Sequence, residues 1–194
     1  GRDMTATDLK CPIDLLEHWM RTRPQSVYLR QPEHGKIREM TWATVWDQTR
    51  RMAAALLSMG LEPGDRVAII AKNSAEWFIA DFAIQAAGLV SAPVCPTASS
   101  ETIRYILEHS ESKVAFIGKL DDMALVKSGM PAGITTIAMP YPTSHCDHQW
   151  QDLIKSHDPL QTVVKAALDD LLTVVYTSGS TGKPKGVELT CRNM

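Results

Sequence analysis

Short apolar runs alternate with helix-length segments along most of the chain, and this alternation restricts the possible folds more than any other feature. The runs are RVAII at 66–70, LVSAPV at 89–94, KVAFIG at 113–118 and ITTIAM at 134–139. Parallel strands need long crossover connections, which are usually helices. The pattern therefore predicts an α/β fold whose mostly parallel sheet is flanked by helices on both faces.

The clearest predicted helix covers 41–60, with Thr41 as its N-cap and Gly60 at its end. Its apolar residues share one face and are expected to be buried: Trp42, Val45, Trp46, Met52, Ala53, Leu56 and Leu57. Three further helices are predicted at 74–88, which is apolar on nearly all sides and expected to be buried, at 99–110 and around 120–127.

The remaining segments complete the predicted organisation. A hairpin is expected where SVYLRQ and IREMTW flank PEHGK at 32–36. The polar stretch 139–158 predicts a surface excursion with one short helix, and LLTVVY at 171–176 predicts a buried strand.

Composition and charge exclude several classes of protein. Of the 194 residues, 44% are hydrophobic and 22% charged, and the formal net charge is −2, so neither nucleic acid nor an anionic membrane is expected as the main partner. No stretch has the pattern of a secretory signal or the length of a membrane span. We therefore expect a cytoplasmic protein, with peripheral contact to a membrane left open.

The four cysteines are far apart in sequence and form no C-x-x-C pair: Cys11, Cys95, Cys146 and Cys191. This spacing gives no support for a metal or redox motif. Reduced thiols in a cytosolic protein are the expectation.

The stretch TSGSTGKPKG at 177–186 is dense in hydroxyls, glycines and lysines and follows an apolar run. A polyphosphate needs many donors at once, and backbone N–H groups freed by glycines, hydroxyls and a lysine supply them. The stretch therefore predicts a phosphate-binding loop.

Three other interpretations of this stretch are weaker. A Walker A loop fails on spacing, because Pro184 stands where its second glycine is required and a β-branched segment follows where a helix should start. An acyl-enzyme pair of Ser180 and Lys183 needs a helical turn that Gly182 and Pro184 disfavour. A plain solvated turn does not explain the row of hydroxyls.

The longer stretch YTSGSTGKPKGVELT at 176–190 resembles the phosphate-binding signature of the adenylate-forming enzymes, which include acyl-CoA synthetases, luciferases and peptide-synthetase adenylation domains. Upstream, NSAEW at 73–77, GLVSAP and ILEHSESK resemble the long-chain fatty acyl-CoA synthetase branch. The similarity covers the chain from about Leu9 onward.

This resemblance implies a ligase that activates a fatty acid with Mg·ATP, releases pyrophosphate and passes the acyl group to coenzyme A. It implies that the loop holds the phosphates that leave as pyrophosphate, through N–H groups, hydroxyls and one fixed positive charge on Lys185. The implied ligands are Thr177, Ser178, Gly179, Ser180, Thr181, Gly182 and Lys185. Thr181 is the one candidate for a contact with Mg²⁺ in Mg·ATP, and Lys183 is expected to be a solvated lysine.

Two positions depart from the family's usual pattern. Cys191 stands where relatives commonly carry His or an aromatic residue, and Cys95 stands where the branch often has Tyr. Each is expected to behave as a small buried hydrophobe.

The resemblance also implies that segments completing the active site lie beyond Met194. Residues 1–8 are expected to be a tag or a disordered terminus, and 9–194 the N-terminal part of the AMP-binding domain, with no catalytic residue and no C-terminal domain carrying the catalytic lysine. Such a fragment is expected to be inactive and able to self-associate through uncovered apolar surface. The alternatives are an adenylate-forming enzyme for aryl or amino acids, and a non-catalytic binding module.

Overall fold

The structure is a computed structural model that describes residues 11–142, 145–178 and 182–194. Six helices are α1 (Pro12–Thr22), α2 (Trp42–Ser58), α3 (Ala75–Ala86), α4 (Ser100–His109), α5 (Met123–Gly129) and α6 (Trp150–Ser156). Nine strands are β1 (Val27–Glu33), β2 (Lys36–Thr41), β3 (Arg66–Ile70), β4 (Val90–Val94), β5 (Val114–Ile117), β6 (Thr135–Ala138), β7 (His148–Gln149), β8 (Leu171–Thr177) and β9 (Lys185–Thr190). A 3-10 turn at Cys191–Asn193 follows β9.

Seven of the strands form one sheet in the order β7-β6-β5-β3-β4-β8-β9, and β1 and β2 form a separate antiparallel hairpin. Every pairing in the large sheet is parallel except that of β8 with β9. The predicted mostly parallel α/β sheet is confirmed, and so is the hairpin predicted around 32–36.

Helices cover both faces of the sheet because successive strand residues point to opposite sides. In β3, Val67 and Ile69 enter a hydrophobic cluster that includes buried residues of α1, α2, α3 and α6. Ala68 and Ile70 enter a second cluster with buried residues of α4 and α5. The central strands are therefore buried on both sides, which their continuous apolar runs predicted.

Serine and threonine side chains start the long helices. Thr41 accepts a hydrogen bond from the Thr44 backbone N–H at 3.2 Å, which confirms it as the N-cap of α2. Ser74 and Ser99 cap α3 and α4 in the same way. Gly60 follows α2 with a φ of +81°, a conformation that favours glycine at a helix end.

The structure corrects three expectations about burial. Leu57 is 37% exposed, and Phe78 on α3 is 38% exposed, so neither helix is buried as fully as its apolar residues predicted. The segment 139–158 is not only a surface excursion, because Trp150 is 1% exposed and β7 joins the sheet edge. The helix α1 was not predicted, and the expectation for residues 1–8 lies outside the described residues.

Cys11 and Cys191 form a disulfide, with their Cα atoms 5.2 Å apart and a sequence separation of 180. The prediction of reduced thiols is therefore wrong for this pair, because the fold places the start of α1 beside the end of β9. Burial of Cys191 is confirmed, whereas Cys95 is exposed and is not the buried hydrophobe that was expected. Among the described residues, no helix has both the length and the apolar character needed to cross a bilayer.

Candidate phosphate-binding loop

The motif at 177–186 joins β8 to β9 at the carboxyl end of β8. The two strands form an antiparallel ribbon in which Thr177 pairs with Lys185 and Tyr176 with Gly186. Since β8 is parallel to β4, the motif lies at the same sheet edge as the carboxyl ends of the other parallel strands. Ligands of open α/β sheets bind at this edge, so the motif is where a ligand is expected.

The structure places four of the seven predicted ligands. Thr177 ends β8 and Ser178 follows it, and both are exposed. Gly182 is exposed, and Lys185 is the exposed first residue of β9. Gly179, Ser180 and Thr181 lie outside the described residues, and the proposed Mg²⁺ contact of Thr181 lies there with them.

The polar groups on the two sides of the loop have few protein partners. Thr177 Oγ1 donates to the Lys185 carbonyl oxygen at 3.5 Å, at the long limit for a hydrogen bond. No carboxylate in the described part of the chain forms a salt bridge with Lys185. Both side chains are exposed, so an anion could reach the Lys185 ammonium group and compete for the weakly bound Thr177 hydroxyl.

Two glycines of the motif are required by the geometry. Gly182 has a φ of +130°, a backbone conformation that residues with a Cβ rarely adopt. A Cβ on Gly186 would lie 3.2 Å from Tyr176 Cε1 and 3.2 Å from Val174 Cγ1, so glycine lets the ribbon close over the tyrosine ring. These glycines therefore serve the path of the backbone.

An aromatic group beside the motif was not found from sequence. His109 Nδ1 lies 2.8 Å from the Tyr176 hydroxyl oxygen, and the His109 and Tyr105 rings stack with centroids 5.5 Å apart. Lys183 is exposed, but its Nζ lies 5.1 Å from the centroid of the Tyr105 ring. The expected exposure of Lys183 is therefore confirmed, and the contact with the Tyr105 ring is an addition to it. Burial raises the pKa of Tyr176, so its hydroxyl stays neutral near pH 7.

A charged network occupies another part of the same edge, where α3 begins and the chain leaves β6. Arg38 Nη2 donates to both carboxylate oxygens of Glu76, at 2.9 and 3.0 Å, and Glu76 is 1% exposed. The Tyr141 hydroxyl donates to Glu76 Oε1. Burial, together with this hydrogen bond, raises the pKa of Tyr141.

This network is structural, because its buried carboxylate is fully paired and joins the β1–β2 hairpin to α3. Burial alone would lower the pKa of Arg38, but Glu76 and Glu33 together outweigh burial and the pKa is raised. Glu76 lies within the NSAEW stretch, yet its partners are distant in sequence and no local pattern shows them. Nowhere in the described ranges do three His, Cys, Asp or Glu side chains come together to hold a metal ion.

Comparison with protein families matches residues 16–194 to the AMP-binding enzyme family. The chain belongs to this family. Among curated proteins it is 32% identical, over 181 residues, to the long-chain-fatty-acid–CoA ligase FadD15 of Mycobacterium bovis, covering 90% of this chain and 30% of that protein. It is 29% identical to a medium-chain-fatty-acid–CoA ligase of Ectopseudomonas oleovorans, covering 89% of this chain and 33% of that protein.

Solved structures show the same fold. The anthranilate CoA ligase AuaEII in complex with anthranoyl-AMP aligns over 97% of this chain and 37% of its own, with a TM-score of 0.85 and 23% identity. The N-terminal subdomain of Klebsiella oxytoca NpsA in complex with 3-hydroxyanthranilyl-AMSN aligns over 97% and 44%, with a TM-score of 0.75 and 25% identity.

The chain spans about a third of the length of the curated relatives that it matches. By name, these relatives are CoA ligases for fatty acids. The family match over 16–194 includes the motif at 177–186. The chain thus belongs to the AMP-binding enzyme family and has fatty acyl-CoA ligases among its relatives.

Proposed function

We propose that these residues form the N-terminal part of a ligase that activates a fatty acid with ATP and transfers the acyl group to coenzyme A. The observation that carries the proposal is the 32% identity to a long-chain-fatty-acid–CoA ligase over 181 residues. The family match over 16–194 includes the motif. Fatty acid, ATP and coenzyme A are the proposed substrates, and long-chain acids are the proposed class.

The motif's proposed role is to hold the phosphates of ATP that leave as pyrophosphate. Negative charge develops on this leaving group when a carboxylate attacks the α-phosphorus, so donors fixed around it favour the transition state over the ground state. Thr177 and Ser178 on one side and Gly182 on the other supply hydroxyl and N–H donors, and Lys185 supplies the charge. Gly179, Ser180 and Thr181 complete the proposed set.

The described residues support this role because they place exposed donors at the carboxyl end of β8. Lys185 is held at the start of a paired strand, so its backbone is fixed while its ammonium group is exposed. Mg²⁺ bound to ATP would neutralise part of the phosphate charge, and Thr181 is the residue that we propose near it.

Aryl acids are the second candidate substrates. The structural relative AuaEII is an anthranilate CoA ligase, but at 23% identity it supports the fold alone. The fatty-acid relatives are more similar in sequence, at 29–32% identity. We therefore favour fatty acids over aryl acids.

The test uses the protein as its gene encodes it, supplied with ATP, Mg²⁺, coenzyme A and saturated acids of increasing chain length, with benzoate and anthranilate in parallel. Acyl-CoA and AMP are quantified by mass spectrometry. Fatty acyl-CoA formed at the highest kcat/KM for long-chain acids supports the proposal. Products from aryl acids alone, or a reading frame that stops at Met194 with no activity, would contradict it.

We also propose that residues 1–194 alone form no acyl-adenylate, since they correspond to about a third of the length of their relatives. Carboxylate-dependent exchange of labelled pyrophosphate into ATP by the 194-residue chain would overturn this. We place the ligase in the cytoplasm, with peripheral membrane contact allowed, and expect the isolated chain to self-associate. Sedimentation of the isolated chain as a monomer would contradict the last point.

A further inference from the structure

Three aromatic side chains, Tyr105 and His109 on α4 and Tyr176 on β8, contact one another beside the motif. His109 Nδ1 lies 2.8 Å from the Tyr176 hydroxyl oxygen, and the two rings meet edge to face with centroids 5.6 Å apart. Tyr105 stacks on His109 at an interplanar angle of 26°. We call these three side chains the aromatic bracket.

The bracket contacts both arms of the motif. On the outgoing arm, Tyr176 directly precedes Thr177. On the returning arm, its ring lies so close to Gly186 that an added Cβ would be 3.2 Å away, and Lys183 Nζ lies over the Tyr105 ring. Aromatic faces attract ammonium groups, so this last contact fixes a side chain that would otherwise move freely in solvent.

The helix that carries the bracket is itself rigidly placed. Ile103, Ile106 and Leu107 of α4 are buried in the cluster on one face of the sheet. Contacts from Tyr105 and His109 therefore tie the arms of the motif to a fixed part of the core.

The bracket lies at the margin of that core, against which Tyr105 and Tyr176 pack. His109 is exposed, and Tyr105 and Tyr176 are half-buried. Removing one bracket contact therefore costs little burial, and it should affect the motif more than the stability of the domain.

We propose that the aromatic bracket is a positioning device that holds the two arms of the motif in the geometry that binds the leaving phosphates of ATP. Tyr176, His109 and Tyr105 are positioning residues, since they act through Thr177, Lys183 and Lys185. The role in ATP binding depends on the proposed function, whereas the restraint on the arms does not.

The first experiment measures that restraint without activity. Trypsin cleaves poorly before proline, so Lys183 is protected by Pro184 and cleavage after Lys185 reports how often the returning arm opens. The protein as its gene encodes it is digested under native conditions, and the peptide ending at Lys185 is quantified over time. The variants are Tyr176→Phe and His109→Ala, with Tyr28→Phe as the matched control, because Tyr28 lies on β1 against Trp42.

Loss of one hydrogen bond should speed cleavage after Lys185 by roughly 2- to 12-fold in Tyr176→Phe and His109→Ala, and not in Tyr28→Phe. Cleavage after Arg51 in α2 should not change in any variant. Equal cleavage after Lys185 in all proteins would overturn the proposal, and so would equal acceleration after Arg51, which indicates general destabilisation.

The second experiment separates positioning from a structural role. Tyr105→Leu removes the ring under Lys183, whereas Tyr105→Phe keeps it. We expect Tyr105→Leu to raise the KM for ATP several-fold with the KM for the fatty acid unchanged, and Tyr105→Phe to restore the KM for ATP. An equal KM for ATP in all three proteins would overturn the role of the bracket and leave the ligase intact. Absence of ligase activity in the unmodified protein would instead refute the proposed function, and the digestion would still test the restraint.

Discussion

The two ends of the β8–β9 ribbon differ in how they are held. At the motif end, Thr177 and Lys185 are exposed and joined by one long side-chain contact beyond the strand pairing. At the other end, Cys191 is 2% exposed and bonded to Cys11, and its backbone N–H donates to the Asp170 carbonyl at 3.3 Å. One end is closed by a covalent bond and the core, and the other leaves its polar side chains exposed.

This difference shows how a ribbon can present exposed polar side chains at one end while its other end is closed. The disulfide at Cys191 and the pairing with β8 restrain β9 on both sides of this contrast. Removing the disulfide at the closed end should therefore have the largest effect on stability.

Replacing Cys11 and Cys191 together by Ala should lower the free energy of unfolding by about 3 kcal/mol, because the crosslink restricts a long loop in the unfolded chain. Urea denaturation of the oxidised protein measures the change, and a reducing agent should produce it in the unmodified protein. The matched control is Cys95→Ala, since Cys95 is exposed and has no disulfide. Identical midpoints with and without the reducing agent would contradict the account.

The redox state of Cys11 and Cys191 in cells tests the proposed cytoplasmic location. Disulfides persist mainly in oxidising environments, so the cytoplasmic placement predicts that the Cys11–Cys191 bond is at least partly reduced in cells. Alkylation of cells before lysis, followed by mass spectrometry, gives the oxidised fraction. A fully oxidised pair would argue against the cytoplasm.

Gly186→Ala tests the middle of the ribbon, where the chain passes over Tyr176. An added Cβ would lie 3.2 Å from ring atom Cε1, so we expect a loss of about 1 kcal/mol in the free energy of unfolding. The loss should be smaller when Tyr176→Ala is already present, and a double-mutant cycle by urea denaturation measures the coupling. Additive effects would mean that the ring does not restrict this position.

Arg192→Ala should have the smallest effect. Arg192 pairs with Asp169 at 2.9 Å at the closed end, but both side chains are largely exposed, so no measurable change in the denaturation midpoint is expected. A clear loss would show that the closed end depends on this ion pair as well as on the disulfide.

Local patterns in the sequence predicted most of the fold. The apolar runs at 66–70 and 113–118 specify buried strands, and Thr41 specifies a helix start, because strand burial and helix capping depend on neighbouring residues. The motif could likewise be predicted, since its glycines and hydroxyls are contiguous.

Contacts between distant residues could not be predicted. The Cys11–Cys191 bond, the Arg38–Glu76 pair and the contact of His109 with Tyr176 join residues that only the completed fold brings together. Exposure of Leu57 and Phe78 was also missed, because an apolar side chain has no local signal that tells whether another layer covers it.

Lys185→Ala is the sharpest test of whether the motif end of the ribbon holds the leaving phosphates of ATP. Exchange of labelled pyrophosphate into ATP is measured with a long-chain acid, for the protein as its gene encodes it and for Arg192→Ala as a control at the other end. At ATP concentrations below KM we predict that Lys185→Ala lowers the exchange rate about tenfold or more, with its denaturation midpoint and the control's rate unchanged. An exchange rate equal to that of the unmodified protein would contradict the account.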